Sequence, residues 1–295
     1  MEIQLNEANT PFNLEHTLSC GQIFRWEKIG EWWYGFVGEK VVRVRQIGGR
    51  LLFQAFPENV DIHFIESCFR LDDDLPLILS RINRDRQIDE AIRAFRGLRI
   101  VRQEPWECLI SYICATNANI PAIRNMILNL SKKFGKKITL DEHDFYTFPK
   151  PKDFAQADLE EIKKCKLGFR AERVLEVSRM MEEKEFNLEA LRKMGYEEAK
   201  GRLMSLPGVG HKVADCVLLF SLGKLEAFPV DIWMKRIILK LYPNHFEQTF
   251  VEKILAKRSI TPKEYEKISS FGRNYFGEYA GYAQEYLFHS RGHQL

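Results

Sequence analysis

The period of hydrophobic and polar positions changes along the chain and divides it into two regions. Near the N-terminus, partly alternating aromatic and β-branched residues with glycine-containing breaks between them fill the runs 32–37, 40–46 and 51–56. Such runs predict antiparallel strands joined by hairpin turns. Helical spacing begins at about residue 72 and dominates from about 101. We therefore predict an α+β fold, with a small antiparallel sheet lobe and flanking helices over 1–100 and a helical region over 101–295.

A Leu-Pro-Gly-Val-Gly segment at 206–210 interrupts the helical region. Proline fixes φ and glycine permits positive φ, so the segment predicts a tight turn. Helical patterns lie on both sides of it, which predicts a helix, a hairpin and a second helix over about 196–223. Backbone amides at the start of a helix suit a phosphate group. Gly208, Gly210 and Val213 are therefore the predicted phosphate contacts.

Two residues beside this hairpin are candidates for catalysis. Lys212 falls in the first turn of the second helix, where the positive helix end disfavours the ammonium form and so favours a nucleophilic amine. Asp231 follows Pro229 and precedes an apolar helical stretch, so it takes an N-cap position. Either residue alone is typical of a structural role. Their joint occurrence behind the hairpin favours a catalytic site.

Composition and charge add little to this picture. The 295 residues are 45% hydrophobic and 29% charged, which is typical of a globular protein with more than one lobe. A net charge of +3 is too small to argue for nucleic acid. The six cysteines lack a CxxC pair, as expected of free thiols in a reducing compartment. We find no signal-peptide pattern or membrane-spanning run, so we expect a cytoplasmic protein, nucleoid-associated in a prokaryote.

Residues 206–231 resemble the helix-hairpin-helix and aspartate motif of the DNA glycosylases. A lysine at position 212 is typical of the bifunctional glycosylase/lyases of that superfamily, and Cys216 in Lys-Val-Ala-Asp-Cys resembles the 8-oxoguanine DNA glycosylases. The resemblance covers nearly the whole chain. It implies two helical lobes with the site between them, excision of 8-oxoguanine flipped from duplex DNA, and strand nicking by β-elimination. Lys212 would form a Schiff base, and Asp231 would stabilise positive charge on the sugar.

The resemblance also implies a base pocket. Residues 19–26 resemble a family segment whose glycine, here Gly21, offers its carbonyl to the flipped base. 8-Oxoguanine has an N7–H donor where guanine has an acceptor, so this carbonyl would favour the lesion. Residues 279–288 resemble the pocket helix and place Gln284 and Phe288 on one face. Cys216 and Pro229 complete the implied pocket. From the residues alone, Phe288 is a core residue, Gln284 a surface residue and the Gly21 segment an ordinary turn.

A third implied set contacts the opposite strand. Asn117 would fill the gap that the flipped base leaves, Phe169 would wedge into the stack, and Arg170 would hydrogen-bond the opposite base. Ala122 stands where the family pattern expects an arginine, which predicts a weaker preference for cytosine opposite the lesion. Further departures are Trp233 and Arg291, which stand where the family often has a histidine and an aspartate, so we expect a different phosphate contact and gating.

The resemblance implies no required cofactor. Endonuclease-III-like relatives carry an iron–sulfur cluster on C-terminal cysteines, and because no cysteine follows Cys216 we exclude that cluster. A structural monovalent cation on the carbonyls of Met204, Leu206 and Val209 is implied by analogy. The expected partner is double-stranded DNA containing 8-oxoguanine, bound by a monomer, with no membrane contact.

Two other functions stay open on the sequence. A monofunctional glycosylase for alkylated bases would keep Asp231 but activate water, and Lys212 would be incidental. A non-enzymatic helix-hairpin-helix DNA-binding protein would need the hairpin glycines but neither of these two residues.

Overall fold

Strands form two antiparallel sheets in residues 1–291, the part of the chain that the computed structural model describes. The strands are β1 (Glu2–Gln4), β2 (Glu27–Ile29), β3 (Trp32–Val37), β4 (Lys40–Ile47), β5 (Arg50–Phe56), β6 (Lys137–Leu140) and β7 (His143–Tyr146). The first five make one sheet in the order β1-β5-β4-β3-β2, and β6 pairs with β7. The three predicted strands are β3, β4 and β5, and the predicted α+β class is confirmed.

The helices account for most of the remaining chain. They are α1 (Leu14–Ser19), α2 (Ile62–Cys68), α3 (Leu75–Ile82), α4 (Arg86–Ala94), α5 (Pro105–Cys114), α6 (Ile120–Phe134), α7 (Pro151–Ala155), α8 (Leu159–Ile162), α9 (Arg170–Glu182), α10 (Tyr196–Met204), α11 (His211–Phe220), α12 (Ile232–Leu241), α13 (Gln248–Leu255), α14 (Pro262–Phe276) and α15 (Ala280–His289). None of the helices within 1–291 is both apolar enough and long enough to cross a membrane.

The sheet packs one face against helices α1 and α2. Alternate residues of β5 point inward and join apolar residues of the two helices in one core. The Trp26 indole lies against the backbone of β3, since a Cβ added at Gly35 would stand 2.2 Å from its ring. The pattern missed β1 and β2 because three residues are too few to show a period. The β6–β7 hairpin corrects the expectation of nearly continuous helix after residue 101.

The helical body consists of two groups of helices joined by α11. Helices α5, α6, α7 and α9 pack together on one side. On the other side, α15 contacts α3, α4, α12 and α14. Helix α11 contacts both α5 and α14, and every residue from Val213 to Phe220 is buried. Helices α3 and α4 precede residue 100 but pack on α15, because their apolar faces belong to the helical core. The boundary near residue 100 stays a prediction.

We expect Gly281→Ala to lower the free energy of unfolding by about 2 kcal/mol. Gly281 donates its backbone N–H to Leu225 O at 2.8 Å. An added Cβ would lie 2.1 Å from Leu219 Cδ1 and 3.0 Å from the carbonyl oxygens of Leu225 and Ala227, so the buried Leu219 side chain or α15 itself would have to shift. Denaturant unfolding measures the change. Gly201→Ala is the matched control, because open space surrounds that helical glycine and alanine should there stabilise by about 1 kcal/mol. Equal effects at the two sites would contradict the packing argument.

Candidate active site

A cavity of about 910 Å³ opens between the two groups of helices. Its wall combines the turn before β2, the turn between α5 and α6, the hairpin before α11, the start of α12, and α15. The predicted site residues that it brings together are Gly21, Asn117, Gly208, Gly210, Lys212, Val213, Cys216, Pro229, Asp231, Gln284 and Phe288. Residues more than 250 positions apart in sequence therefore share one cavity.

The hairpin positions Lys212 at the cavity wall. Gly208 has φ +80°, a conformation that favours glycine, and Gly210 begins α11 in extended backbone without a side-chain cap. The Lys212 side chain is half-buried, and its Nζ lies 4.7 Å from the centre of the Tyr112 ring. The face of an aromatic ring attracts an ammonium group. The ring thus orients the amine in the cavity, a contact that sequence reasoning missed.

Asp231 is the N-cap of α12, as predicted. Its Oδ1 accepts a hydrogen bond from the backbone N–H of Met234 at 2.7 Å. The preceding residues Pro229 and Val230 are buried, and Val230 donates its backbone N–H to the Tyr265 hydroxyl at 3.3 Å. Burial of these two residues and the hydrogen bond to Tyr265 thus hold the chain that precedes the cap. The carboxylate therefore has a defined orientation at the cavity wall, and capping occupies only one of its oxygens.

Cys216 follows Lys212 by one helical turn. Burial raises the pKa of its thiol to about 12, although the positive charge of Lys212 acts in the opposite direction. The thiol is consequently neutral near pH 7. Cys216 supplies a polarisable, uncharged wall surface, rather than a thiolate partner for the lysine.

The turn that carries Gly21 is held by the side chain of Gln22. The amide of Gln22 donates to Thr17 O at 2.9 Å and Arg99 O at 2.8 Å, and its Oε1 accepts from Val101 N at 2.8 Å. The Tyr112 hydroxyl donates to the backbone carbonyl of Gln22 at 2.9 Å. Each hydrogen-bonding group of this buried amide has a partner, which gives Gly21 one position next to the cavity.

Gly21 lies opposite the pocket helix α15. It has φ +103°, and an added Cβ would stand 3.9 Å from the Phe288 ring and 3.3 Å from Ile120. The guanidinium of Arg291 lies 4.1 Å from the centre of the Phe288 ring. Gln284 is 5% exposed, and its Oε1 is buried without a hydrogen-bond partner within residues 1–291. A flat ring beside a free acceptor can hold a heterocycle that carries an N–H donor.

Of the residues predicted to contact the opposite strand, Asn117 lines the cavity, whereas Phe169 and Arg170 lie outside it. Phe169 is 52% exposed, with the guanidinium groups of Arg170 and Arg173 at 4.4 and 4.9 Å from its ring centre. Arg170 is buried, and its Nε donates to Thr116 O at 2.9 Å. Asn117 follows with φ +53°. Arg170 therefore ties Phe169 to the turn that carries Asn117. The wedge role of Phe169 and the contact of Arg170 with a base stay predictions.

The carbonyls predicted to hold a monovalent cation lie along the hairpin. The Leu206 carbonyl accepts a hydrogen bond from Val209 N at 3.1 Å, which leaves it a second lone pair. The residues Met204, Leu206 and Val209 do not line the cavity. Neutral carbonyl oxygens suit a hard cation, so the chemistry of this donor set fits, and the cation stays a prediction.

A buried polar network contacts α11 through Asp215, which does not line the cavity, and the sequence reasoning missed it. Asp215 accepts hydrogen bonds from the hydroxyls of Tyr196 at 2.5 Å and Tyr265 at 2.6 Å. The Lys200 ammonium lies 3.2 Å from Asp215 and 2.6 Å from Glu266. Burial raises the pKa of Asp215, while Lys200 and the hydroxyls act against it. An acidic residue in the otherwise apolar run 213–220 was the available signal.

Comparison with known proteins places most of the chain in two described protein families. Residues 3–109 match the family described as 8-oxoguanine DNA glycosylase, N-terminal domain, and residues 110–259 match the HhH-GPD superfamily base excision DNA repair proteins. The N-glycosylase/DNA lyase of Arabidopsis thaliana is 31% identical over 96% of this chain and 78% of its own length.

Solved structures are similar as well. The Clostridium acetobutylicum 8-oxoguanine glycosylase/lyase, in complex with double-stranded DNA containing cytosine opposite 8-oxoguanine, has a TM-score of 0.85 and 32% identity, covering 97% of this chain and 94% of that one. A 3-methyladenine DNA glycosylase from Archaeoglobus fulgidus has a TM-score of 0.75 at 21% identity, covering 99% and 98%, which shows a shared fold only.

We expect Asp215→Asn to lower the free energy of unfolding by about 3 kcal/mol, because it removes the charge that faces buried Lys200. Thermal or denaturant unfolding measures the loss. Glu197→Gln is the control, since it breaks the exposed ion pair with Arg273 and should cost less than about 1 kcal/mol. If both variants lose the same amount, the Asp215 network does not anchor α11.

Proposed function

The chain belongs to the 8-oxoguanine DNA glycosylase/lyases of the HhH-GPD superfamily, and we propose that Lys212 and Asp231 carry out both chemical steps of its reaction on 8-oxoguanine in duplex DNA. One observation carries the proposal. A lysine and a capping aspartate meet in one cavity with a half-buried aromatic ring, Phe288, and an unpartnered amide oxygen, that of Gln284. A nucleophile, a group that stabilises cationic charge and a base pocket are then within one enclosure.

The first step replaces the base by the enzyme. The lesion leaves the duplex, because the sugar C1′ cannot be reached inside the stack. As the C1′–N9 bond breaks, its electrons go to the departing base and Lys212 Nζ forms a bond to C1′. Asp231 stabilises the positive charge that develops on the sugar. The lysine proton leaves with the base, and opening of the sugar ring gives a Schiff base.

The second step cleaves the strand. The Schiff base acidifies C2′, so a proton is lost there and the 3′ phosphate departs from C3′ with the bonding electrons. Every electron pair in this sequence stays within the DNA and Lys212. The proposal therefore needs no external oxidant or reductant.

Recognition of the lesion is assigned to the pocket. The Gly21 carbonyl accepts the N7–H that 8-oxoguanine has and guanine lacks. Phe288 and the neutral thiol of Cys216 cover the two faces of the flipped base, and Gln284 and Pro229 complete the wall of the pocket. An unmodified guanine would place an acceptor against the Gly21 carbonyl, which costs binding energy without a compensating hydrogen bond.

The opposite strand is read by Asn117, Phe169 and Arg170. The exposed Phe169 ring enters the stack, Asn117 fills the vacated gap, and Arg170 exchanges a carbonyl partner for the opposite base. Amides of Gly208, Gly210 and Val213 hold the phosphate backbone. The C. acetobutylicum structure, with 8-oxoguanine DNA bound, supports this partner. We propose that the protein acts as a monomer, with the cation on the hairpin carbonyls.

The departures from the family pattern change the rim of the cavity. Trp233 is 48% exposed beside Asp231, and Arg291 lies over Phe288. We propose that these residues replace a histidine–aspartate pair by a stacking surface and a cation.

The A. fulgidus structure does not support the alternative function, excision of alkylated bases, because its likeness to this chain concerns the fold alone. That alternative also leaves Lys212 without a role at the cavity wall.

We expect Lys212→Gln to abolish both base release and strand nicking, because the variant cannot form a Schiff base. Borohydride trapping on a duplex with 8-oxoguanine measures the covalent complex, and a gel shift measures binding, which should survive. Lys193→Gln is the control, since Lys193 is exposed and outside the cavity. Normal trapping by the Lys212 variant would remove the lysine from the mechanism. Trapping that is absent from the unmodified protein would favour the two non-lyase alternatives.

We expect a weak preference for cytosine opposite the lesion, and Ala122→Arg should strengthen it about tenfold. Ala122 is exposed on the first turn of α6, three residues after the Asn119 cap, and offers no side-chain donor. One base-directed contact gives about 1–3 kcal/mol of discrimination. Single-turnover rates on duplexes with each of the four bases opposite 8-oxoguanine decide the question. A strong preference for cytosine that the arginine leaves unchanged would show that position 122 does not set it.

A further inference from the structure

Glu285 is a buried acid in the cavity wall to which the mechanism above gives no part. It follows Gln284 on α15 and is 3% exposed. Its Oε2 is buried without a hydrogen-bond partner within residues 1–291. An unpartnered carboxyl oxygen inside a protein is costly, and such a cost at a cavity wall points to a ligand group that satisfies it.

Several polar or titratable groups face Glu285 from every side of the cavity. Burial raises the pKa of its carboxyl to about 7, and Asp231 acts in the same direction. A hydrogen bond with the Cys20 thiol and the charge of Arg291 act against both. Glu285 is therefore poised between acid and carboxylate near neutral pH. The groups that interact with it electrostatically are Cys20 from the turn before β2, Tyr112 from α5, Cys216 from α11, Asp231 from α12 and Arg291 from the end of α15.

The free groups at this wall are acceptors. Gln284 Oε1 and Glu285 Oε2 come from consecutive residues, and both are buried and unpartnered. The amide nitrogen of Gln284 is directed to the sulfur of Met234 at 3.9 Å. A guanine-type ring presents donors side by side, N1–H and the N2 amino group, on the edge away from N7. An adenine-type ring has an acceptor at N1 and would oppose the carboxyl oxygen.

We propose that Glu285 is a second base-reading residue, whose Oε2 accepts an N–H from the N1/N2 edge of the flipped base beside Gln284. The inference rests on the proposed function and deepens it, because it assigns the substrate class to rings that carry N1–H. Gly21 selects for oxidation at C8, whereas Glu285 and Gln284 select for guanine over adenine. Glu285 is thus a specificity-determining residue, separate from the catalytic pair.

The charge of Glu285 couples recognition to pH. An N–H donor stabilises the carboxylate more than the acid, because a charge-assisted hydrogen bond is stronger. The bound carboxyl therefore ionises at a lower pH than the free one, and affinity rises with pH through the region near 7. If the base binds the carboxylate about tenfold more tightly than the acid, affinity rises about fivefold from pH 6 to pH 8.

Binding measurements in the Lys212→Gln background test the inference without turnover. The probes are duplexes with 8-oxoguanine, with 8-oxoadenine, and with a tetrahydrofuran abasic analogue that has no base. Glu285→Ala should weaken binding to 8-oxoguanine about tenfold, reduce discrimination against 8-oxoadenine, and leave the abasic duplex unchanged. Glu285→Gln keeps an acceptor but no titration, so its affinity should be nearly flat between pH 6 and pH 8. Glu278→Gln, exposed just before α15, is the control.

The outcomes separate the inference from the function. Equal losses on the lesion and abasic duplexes would show that Glu285 supports the fold, and unchanged affinity for 8-oxoguanine would show that it does not touch the base. Either result overturns the inference and leaves the function intact. A Lys212→Gln protein that binds the lesion no more tightly than undamaged duplex would instead overturn the proposed function.

Discussion

The buried amide of Gln22 is the constraint on which the site geometry depends. It joins the end of α1 to residues 99–101, the segment just before α5. A fully paired buried amide holds one arrangement, because each alternative leaves a polar group unpaired. The Gly21 carbonyl is consequently presented by a rigid turn. Tyr112 then links this turn to the amine of Lys212 across the cavity.

Helix α11 has to carry reactive groups and hold its place in the core. Its cavity side bears Lys212 and Cys216, and its far side bears Asp215. Two tyrosines and Lys200 surround Asp215, so the helix cannot rotate without exposing buried charge to apolar surroundings. The same network reaches the hairpin, since the His211 Nδ1 lies 2.6 Å from Glu266. The polar network therefore fixes the position of the hairpin that precedes Lys212.

The titratable groups that line the cavity have different environments, which suit different proposed roles. Burial keeps the Cys216 thiol neutral, so it offers the cavity an uncharged surface. Asp231 has one oxygen engaged in capping and a fixed orientation, which suits stabilisation of charge on a sugar. Glu285 lies deeper, with a pKa raised to about 7 by burial. Two carboxyl groups in one cavity thus have different environments and different proposed roles, one toward the sugar and one toward the base.

The sequence by itself determined the elements with strong local signals. Strands β3 to β5, the hairpin at 206–210 and the N-cap at Asp231 follow from period, glycine and capping chemistry, all of which act over a few residues. Sequence motifs also indicated the residues that line the cavity. Only the tertiary structure decided what faces them. Four features depend on contacts between distant segments. They are the burial of Arg170, the contact of the Lys212 amine with the Tyr112 ring, the Asp215 network and the unpartnered oxygen of Glu285. Burial and pairing of polar groups are properties of the assembled core, and no local pattern encodes them.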